Sequence, residues 1–369
     1  MKRLSLLLLF LAGIVSLLSA QTPTWLRSSA ISPDGQTIIF TYKGDLYKVA
    51  ASGGVATPLT THTAYDYMPV WSHDGKTIAF ASDRYGNFDI FTMPAEGGEA
   101  KRLTYHSANE YPYSFSSDDK SVIFGSTRQD LVTHRQYPTG SQPELYSVPV
   151  MGGRVDMVWT YPAEAVQVSK NGTFMVYQDK KGGENEFRKH HVSAITRDIW
   201  IYNAKTGEQK MITTFEGEDR NPVFADNDKS IYYLSEKGGS FNIHKLSLDN
   251  PKESKQITHF NKFPIRYLSI SNTGVLCFSY DGQLFTMKPN GRPEKVSIAI
   301  RADEKRNNDS FIPVSNISEF DLSSNGKEMV FISRGEVFVS SLEGGVTKRI
   351  TNTPEQERFV SFSPDGESI

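Results

Sequence analysis

One short motif recurs along the chain and constrains its fold more than any other feature. It reads Ala30-Ile31-Ser32-Pro33-Asp34-Gly35, Val70-Trp71-Ser72-His73-Asp74-Gly75 and Ser361-Phe362-Ser363-Pro364-Asp365-Gly366. Degraded copies surround Ser116, Ser169, Ala225, Ser271 and Ser323, so successive copies stand 40, 44, 53, 56, 46, 52 and 40 residues apart. After each copy comes an extended apolar run, such as Thr77–Ser82 or Ser230–Leu234, and then a second, such as Asp89–Met93 or Asp198–Tyr202. A Gly-Gly or Thr-Gly turn follows (Gly97-Gly98, Gly152-Gly153, Thr206-Gly207), and a last short strand closes near Leu103 or Ile212.

Each repeat therefore reads as a four-stranded meander. An Asp or Asn in the first turn accepts a hydrogen bond from the backbone two residues on, and the following Gly tolerates positive φ. One such meander cannot bury its own faces, so the repeats must stack. A period of roughly 40–50 residues with four strands per repeat is that of a β-propeller blade. β-Branched and aromatic residues dominate, and no amphipathic 3.6-residue period follows the N-terminal run, which excludes helical repeats. The expected fold is all-β: a six-bladed β-propeller over residues 21–300, a polar linker over 301–316, and the first blade and truncated second blade of another propeller over 317–369. The sequence stops one turn into its eighth repeat, and the chain reads as an N-terminal fragment of a longer protein.

Composition narrows the function. Lys+Arg number 40 against 42 Asp+Glu, a net charge of −2, without the basic surplus of a nucleic-acid binder. A single cysteine, Cys277, excludes internal disulfides and Cys-based zinc sites. Lys2 and Arg3 precede the apolar run Leu4–Leu18, and Leu18-Ser19-Ala20 ends it on a small residue. That is the layout of a signal peptide over residues 1–20, implying an exported protein, periplasmic or extracellular, with no membrane span after cleavage.

Signatures of chemistry are missing. Ser126 and Ser240 each adjoin a Gly but lack the second one that a nucleophile elbow needs. No H-E-x-x-H occurs, and Gly75-Lys76 and Gly326-Lys327 lack the upstream Gly of a phosphate loop. Asp226-Asn227-Asp228 has Ile231 where a calcium loop needs Gly. Neighbouring side chains in extended backbone point opposite ways, so His190 and His191 are a poor metal pair. Neither a metal nor another cofactor is expected, and Cys277, inside Val275-Leu276-Cys277-Phe278, is expected to be inert core.

Loop length picks out one face. With strands A to D in each blade, the A–B and C–D turns share one end and the B–C and D–A connections the other. The B–C loops are six residues in repeats two and five (Asp83 to Phe88, Glu236 to Phe241), 17 in repeat three (Thr127 to Pro143) and 19 in repeat four (Asp179 to Arg197). The two long loops carry Arg128, Arg135, Lys180, Lys181, Arg188, Lys189 and Arg197 against four carboxylates, a surplus of +3. His134, His190 and His191 lie there too, and His62, His106 and His259 join from D–A connections. Arg128, Arg135, Arg188, His190, His191 and Arg197 are therefore the candidate site residues of this face, where arginine can hold carboxylates as a bidentate partner, those of a substrate on its path or of a docking domain.

The run Ser82-Asp83-Arg84-Tyr85-Gly86-Asn87-Phe88-Asp89-Ile90-Phe91, with Pro94-Ala95-Glu96-Gly97-Gly98, resembles the repeat of TolB-like propellers. The order of signal peptide, six such blades, linker and second propeller resembles exported bacterial relatives of tricorn protease. Gly44-Asp45-Leu46-Tyr47, Leu103–Asn109, Glu144–Pro149, Arg188-Lys189-His190-His191 and Phe215–Pro222 carry the same likeness. The resemblance implies a six- and a seven-bladed propeller ahead of PDZ-like and serine-peptidase domains absent from this chain, with peptides as substrates. The nucleophile would lie in those domains, so no residue here inherits a catalytic role. The alternatives are a TolB-like protein-binding module of the cell envelope without peptidase activity, and the propeller of a prolyl-oligopeptidase-type enzyme.

Overall fold

The computed structural model describes residues 23–129, 142–183, 188, 190–251, 253–300, 314, 316–345 and 347–369. The signal-peptide reading and most of the linker reading fall outside these residues. The described chain is all-β. Six antiparallel four-stranded sheets follow one another as blades 1 to 6, spanning residues 27–58, 66–102, 110–159, 163–211, 219–256 and 266–295. A seventh, over residues 319–349, lies beyond them. The A strands Arg27–Ile31, Asp66–Trp71, Glu110–Phe115, Ala163–Val168, Asp219–Ala225 and Arg266–Ile270 neighbour one another in that order, and the sixth returns to the first. This closed circuit makes a six-bladed propeller, with apolar layers packed between successive blades.

The motif that announced the blades makes the A–B turns. Ser32 Oγ donates to Asp34 (2.5 Å), Gln36 N donates to the same carboxylate and Thr37 N to Ser32 Oγ. The Ser72, Ser116, Ser169 and Ser323 copies repeat the arrangement. These hydrogen bonds favour the ionised carboxylate: the Ser32 hydroxyl and the Gln36 N–H hold Asp34 below its ordinary pKa, and the Ser116 hydroxyl and the Lys120 N–H bring Asp118 down to about 2. Blade 5 departs from the pattern. Ala225 replaces the Ser, and Asp226, Asn227 and Asp228 all take positive φ, with Ser230 bonding Asp226 instead.

Each A strand of the ring also carries a β-bulge. Four residues before the motif Ser or Ala, five blades place a non-glycine residue in the left-handed region: Ser28, Met68, Ala165, Asn221 and Tyr267. Blade 3 has Pro112 there, whose ring forbids it. The A strands also bond across to neighbouring blades at and near these bulges. Ala30 O accepts from Trp71 Nε1 (3.1 Å), Tyr267 O from Ser29 Oγ (3.4 Å) and Tyr113 O from Gln167 Nε2 (3.0 Å). Asn221 N donates to Gln178 Oε1 (2.9 Å) and Ile31 N to Ser269 Oγ (3.1 Å). The strained residues thus lie where the ring is stitched together.

One strand was not expected. Ile298–Ile300 runs parallel along Gly54–Ala56 as a fifth strand on the outer edge of blade 1. It covers an edge that would otherwise present unpaired backbone groups. Cys277 is fully buried in the core, and burial pushes its thiol up to about 12, as an inert core residue requires.

Candidate functional site: the long-loop face

The B–C and D–A connections are held by a device repeated in the blades. A side chain near the middle of strand B stacks on its cross-strand partner in strand C: Phe40 on Tyr47, Phe80 on Phe91, Phe124 on Tyr146, Phe278 on Phe285 and Phe331 on Phe338, at 5.5–5.9 Å between ring centroids. A threonine after strand D turns back to cap strand C. Thr60, Thr104, Thr213, Thr258 and Thr351 accept from the backbone N–H of Leu46, Ile90, Ile199, Ile243 and Val337, each at 2.9 Å. His244 occupies the strand C aromatic position in blade 5, tilted against Tyr233; it is buried, and burial lowers it to about 4.

Above the aromatic pairs lies an ionic layer. Asp66 and Glu110 begin their A strands, each six residues before the motif Ser, with side chains wholly buried. Each meets an arginine two residues beyond the end of strand B: Arg84 to Asp66 at 2.9 Å and Arg128 to Glu110 at 2.5 Å. Arg84 also lies over Phe80 and Phe91, and Arg128 over Phe124 and Tyr146. Burial pushes Glu110 up to about 7 against the opposing pull of Arg128, and does the same to Asp45 and Asp219. Arg197, with 5% of its side chain exposed, sits between Glu164 (3.3 Å) and Glu218 (3.7 Å). Lys180 meets Glu164 at 2.8 Å, Lys181 meets Asp198 at 2.5 Å and Arg220 meets Glu218 at 2.8 Å.

This layer changes the reading of the candidate residues. Arg128 and Arg197 are built into the blades as partners of buried carboxylates, so neither stands ready for a peptide carboxylate. The +3 surplus counted over the two loops is largely met by Glu110, Glu164, Asp198 and Glu218, residues of strand ends and D–A connections that a loop count omits. Arg135 and His134 lie outside the described residues. Arg188 and His190 are exposed on this face, and the His190 backbone N–H donates to Glu236 at 3.1 Å. His191 is buried, with Nε2 2.7 Å from Ser193 Oγ. Ser193 Oγ also accepts from Ile195 N at 3.2 Å, a local turn within the blade 4 loop. His62 and His106 are turn residues too, each accepting at Nδ1 from the N–H two residues on, at 3.0 Å.

Half-buried aromatic residues complete the face over blades 2 and 3. Tyr65, Tyr67, Phe88 and Tyr111 touch at centroid distances of 4.9–6.4 Å. Among the described residues, exposed cations on this face include Arg188, Lys237 and Lys262, and the aromatic surface lies over the neighbouring blades 2 and 3. Among the described residues no three His, Cys, Asp or Glu side chains gather as a metal site would need.

Residues 23–292 match the family of the tricorn protease N-terminal beta propeller domain. The chain belongs to that family. Tricorn protease of Thermoplasma acidophilum is 25% identical over 168 residues, 45% of this chain and 15% of that protein. The Tol-Pal system protein TolB of Helicobacter hepaticus is 28% identical over 92 residues, 25% of this chain and 22% of its length. The crystal structure of tricorn protease superposes with a TM-score of 0.65 at 22% identity, over 90% of this chain and 32% of that one. The chain thus spans less than a quarter of the curated relatives it matches. Among the described residues, no helix of this tricorn-family propeller is long and apolar enough to cross a membrane.

Proposed function

We propose that this chain is the propeller portion of an exported tricorn-like serine peptidase, and that its long-loop face receives peptides on their way to a catalytic domain elsewhere in that protein. The observation that carries this reading is the family match over residues 23–292, followed by a seventh four-stranded sheet that begins at Glu319. Likeness to tricorn protease covers 90% of the chain, and so reaches past the first propeller. Export rests on the charged start and apolar run of residues 2–18. The aromatic cluster around Tyr67 and Tyr111 and the exposed Arg188 and His190 would meet the peptide, while the ionic layer beneath keeps the loops in place.

The match to TolB favours a second reading, a binding module that engages an envelope protein. Peptide turnover separates the two. Protein expressed from the complete reading frame should cleave a mixed peptide library and be stopped by a serine-directed inhibitor, while residues 21–369 alone turn over nothing. A complete product without inhibitor-sensitive turnover would favour the binding module, and turnover by residues 21–369 alone would overturn the proposal.

A further inference from the structure

Blade 1 and blade 7 carry the same strand B–turn–strand C sequence in two versions, Lys43-Gly44-Asp45-Leu46-Tyr47 and Arg334-Gly335-Glu336-Val337-Phe338. In both, a two-residue hairpin joins the strands, with both turn residues at positive φ: 50° and 90° in blade 1, 52° and 81° in blade 7. Such turns suit the right-handed twist of the flanking strands. Here they present a cation at the tip, at the B–C end of each blade.

Each cation crosses to the other blade. Lys43 Nζ lies 3.8 Å from Glu336, the first strand C residue of blade 7, and 3.3 Å from Asn352 Oδ1 in the connection after that blade. In return, Arg334 donates to Thr63 O (3.0 Å) in the connection after blade 1, lies over the Tyr65 ring and approaches Asp83 at 3.9 Å. The same two structural positions therefore meet from both sides. Thr24 Oγ1, against Pro354 O (3.1 Å) and Glu355 (3.2 Å), and Arg27, against Gln356, extend the contact. Charge complementarity runs the same way. The corner between blades 1 and 2 holds Asp45, Asp66 and Asp83, with Arg84 pairing Asp66 at 2.9 Å, and Arg334 supplies a further positive charge.

We infer that blades 1 and 7 form a pseudo-twofold electrostatic clasp that fixes blade 7 against the long-loop face of the six-bladed ring. The geometry is that of an isologous contact, in which one patch meets its own counterpart, made here between two repeats of one chain. The clasp covers the blade 1–2 side, where the B–C turns are short, and leaves the blade 3 and 4 loops uncovered by it. It also gives blade 7 a neighbour to lean on, as a lone meander requires.

Zero-length carbodiimide cross-linking of the 369-residue chain tests this, with mass spectrometry of the monomer band. A Lys43–Glu336 cross-link is expected within one chain. Its yield should fall roughly five- to thirtyfold in Arg334→Glu, as loss of a contact worth a modest fraction of a domain's stability would do. Backbone exchange at Ala64–Asp66 should quicken in the same variant while Glu328–Ser341 stays slow. Should Arg334→Glu fail to fold blade 7, the unsubstituted chain in about 1 M salt, where screening acts over about 3 Å, should show the same loss of cross-link. Absence of the intrachain cross-link in the unsubstituted chain, or a yield indifferent to both Arg334→Glu and salt, would overturn the clasp.

Discussion

Replacing Arg128 by alanine is expected to cost about 3 kcal/mol of stability at pH 8. The guanidinium is the 2.5 Å partner of a carboxylate with no exposed surface, and it covers the Phe124–Tyr146 pair. Removing it leaves Glu110 buried without its cation and strips packing from two rings. The loss should shrink at pH 6, because a buried carboxylate escapes its penalty by taking up a proton, and burial already holds Glu110 at about 7. Adding Glu110→Gln to the Arg128→Ala variant should recover part of the loss at pH 8. Urea denaturation of the two variants at both pH values would show it. An equal loss at pH 6 and pH 8, or a loss within the scatter of surface substitutions, would mean that the pair is not structural.

Stability of the whole propeller should fall as the solution turns alkaline. Asp45, Glu110 and Asp219 are each raised by burial to about 7, against about 4 in an unfolded chain. The folded state therefore holds extra protons between these values. That contribution is fully present below about pH 4 and is lost as pH rises through about 7. His244 works in the opposite sense. Its folded value of about 4 lies below the unfolded value of about 6.5, so its contribution is present above about pH 6.5 and lost on acidification toward pH 4. Three carboxyls outweigh one imidazole, and Tm should be higher near pH 5.5 than near pH 8.5. Asp219→Asn should flatten the alkaline side of the profile. A flat profile from pH 5.5 to 8.5 would contradict the burial argument.

Much of this was written in local sequence. The Ser-x-Asp-Gly turns gave the blade count because each needs only its own residues: Ser32 bonds Asp34, and Thr37 N closes the loop. The B–C loop lengths followed, since strands are bounded by those turns. The ionic layer was only half legible. Asp66 and Glu110 stand at one fixed distance before the motif, and Arg84 and Arg128 at one fixed distance after strand B, a covariation between repeats that a single pass over loop charges overlooks. Arg128 and Arg197 looked free because their partners sit on strand ends and D–A connections distant in sequence, Arg197 and Glu164 being 33 residues apart. The fifth strand of blade 1 and the Lys43–Glu336 contact join segments more than 200 residues apart, where no local rule of turn chemistry or alternation applies.

The claim that the long-loop face is the working face is tested most directly by hydrogen exchange of the 369-residue chain with and without a mixed peptide library. Peptides with free C-terminal carboxylates should slow exchange in residues 179–183 and 190–198 and around Tyr67 and Tyr111, and their C-terminally amidated counterparts should do so less. Protection confined to the tight turns at residues 32–36, 72–76 and 116–120, or no protection anywhere at saturating peptide, would place the working surface elsewhere.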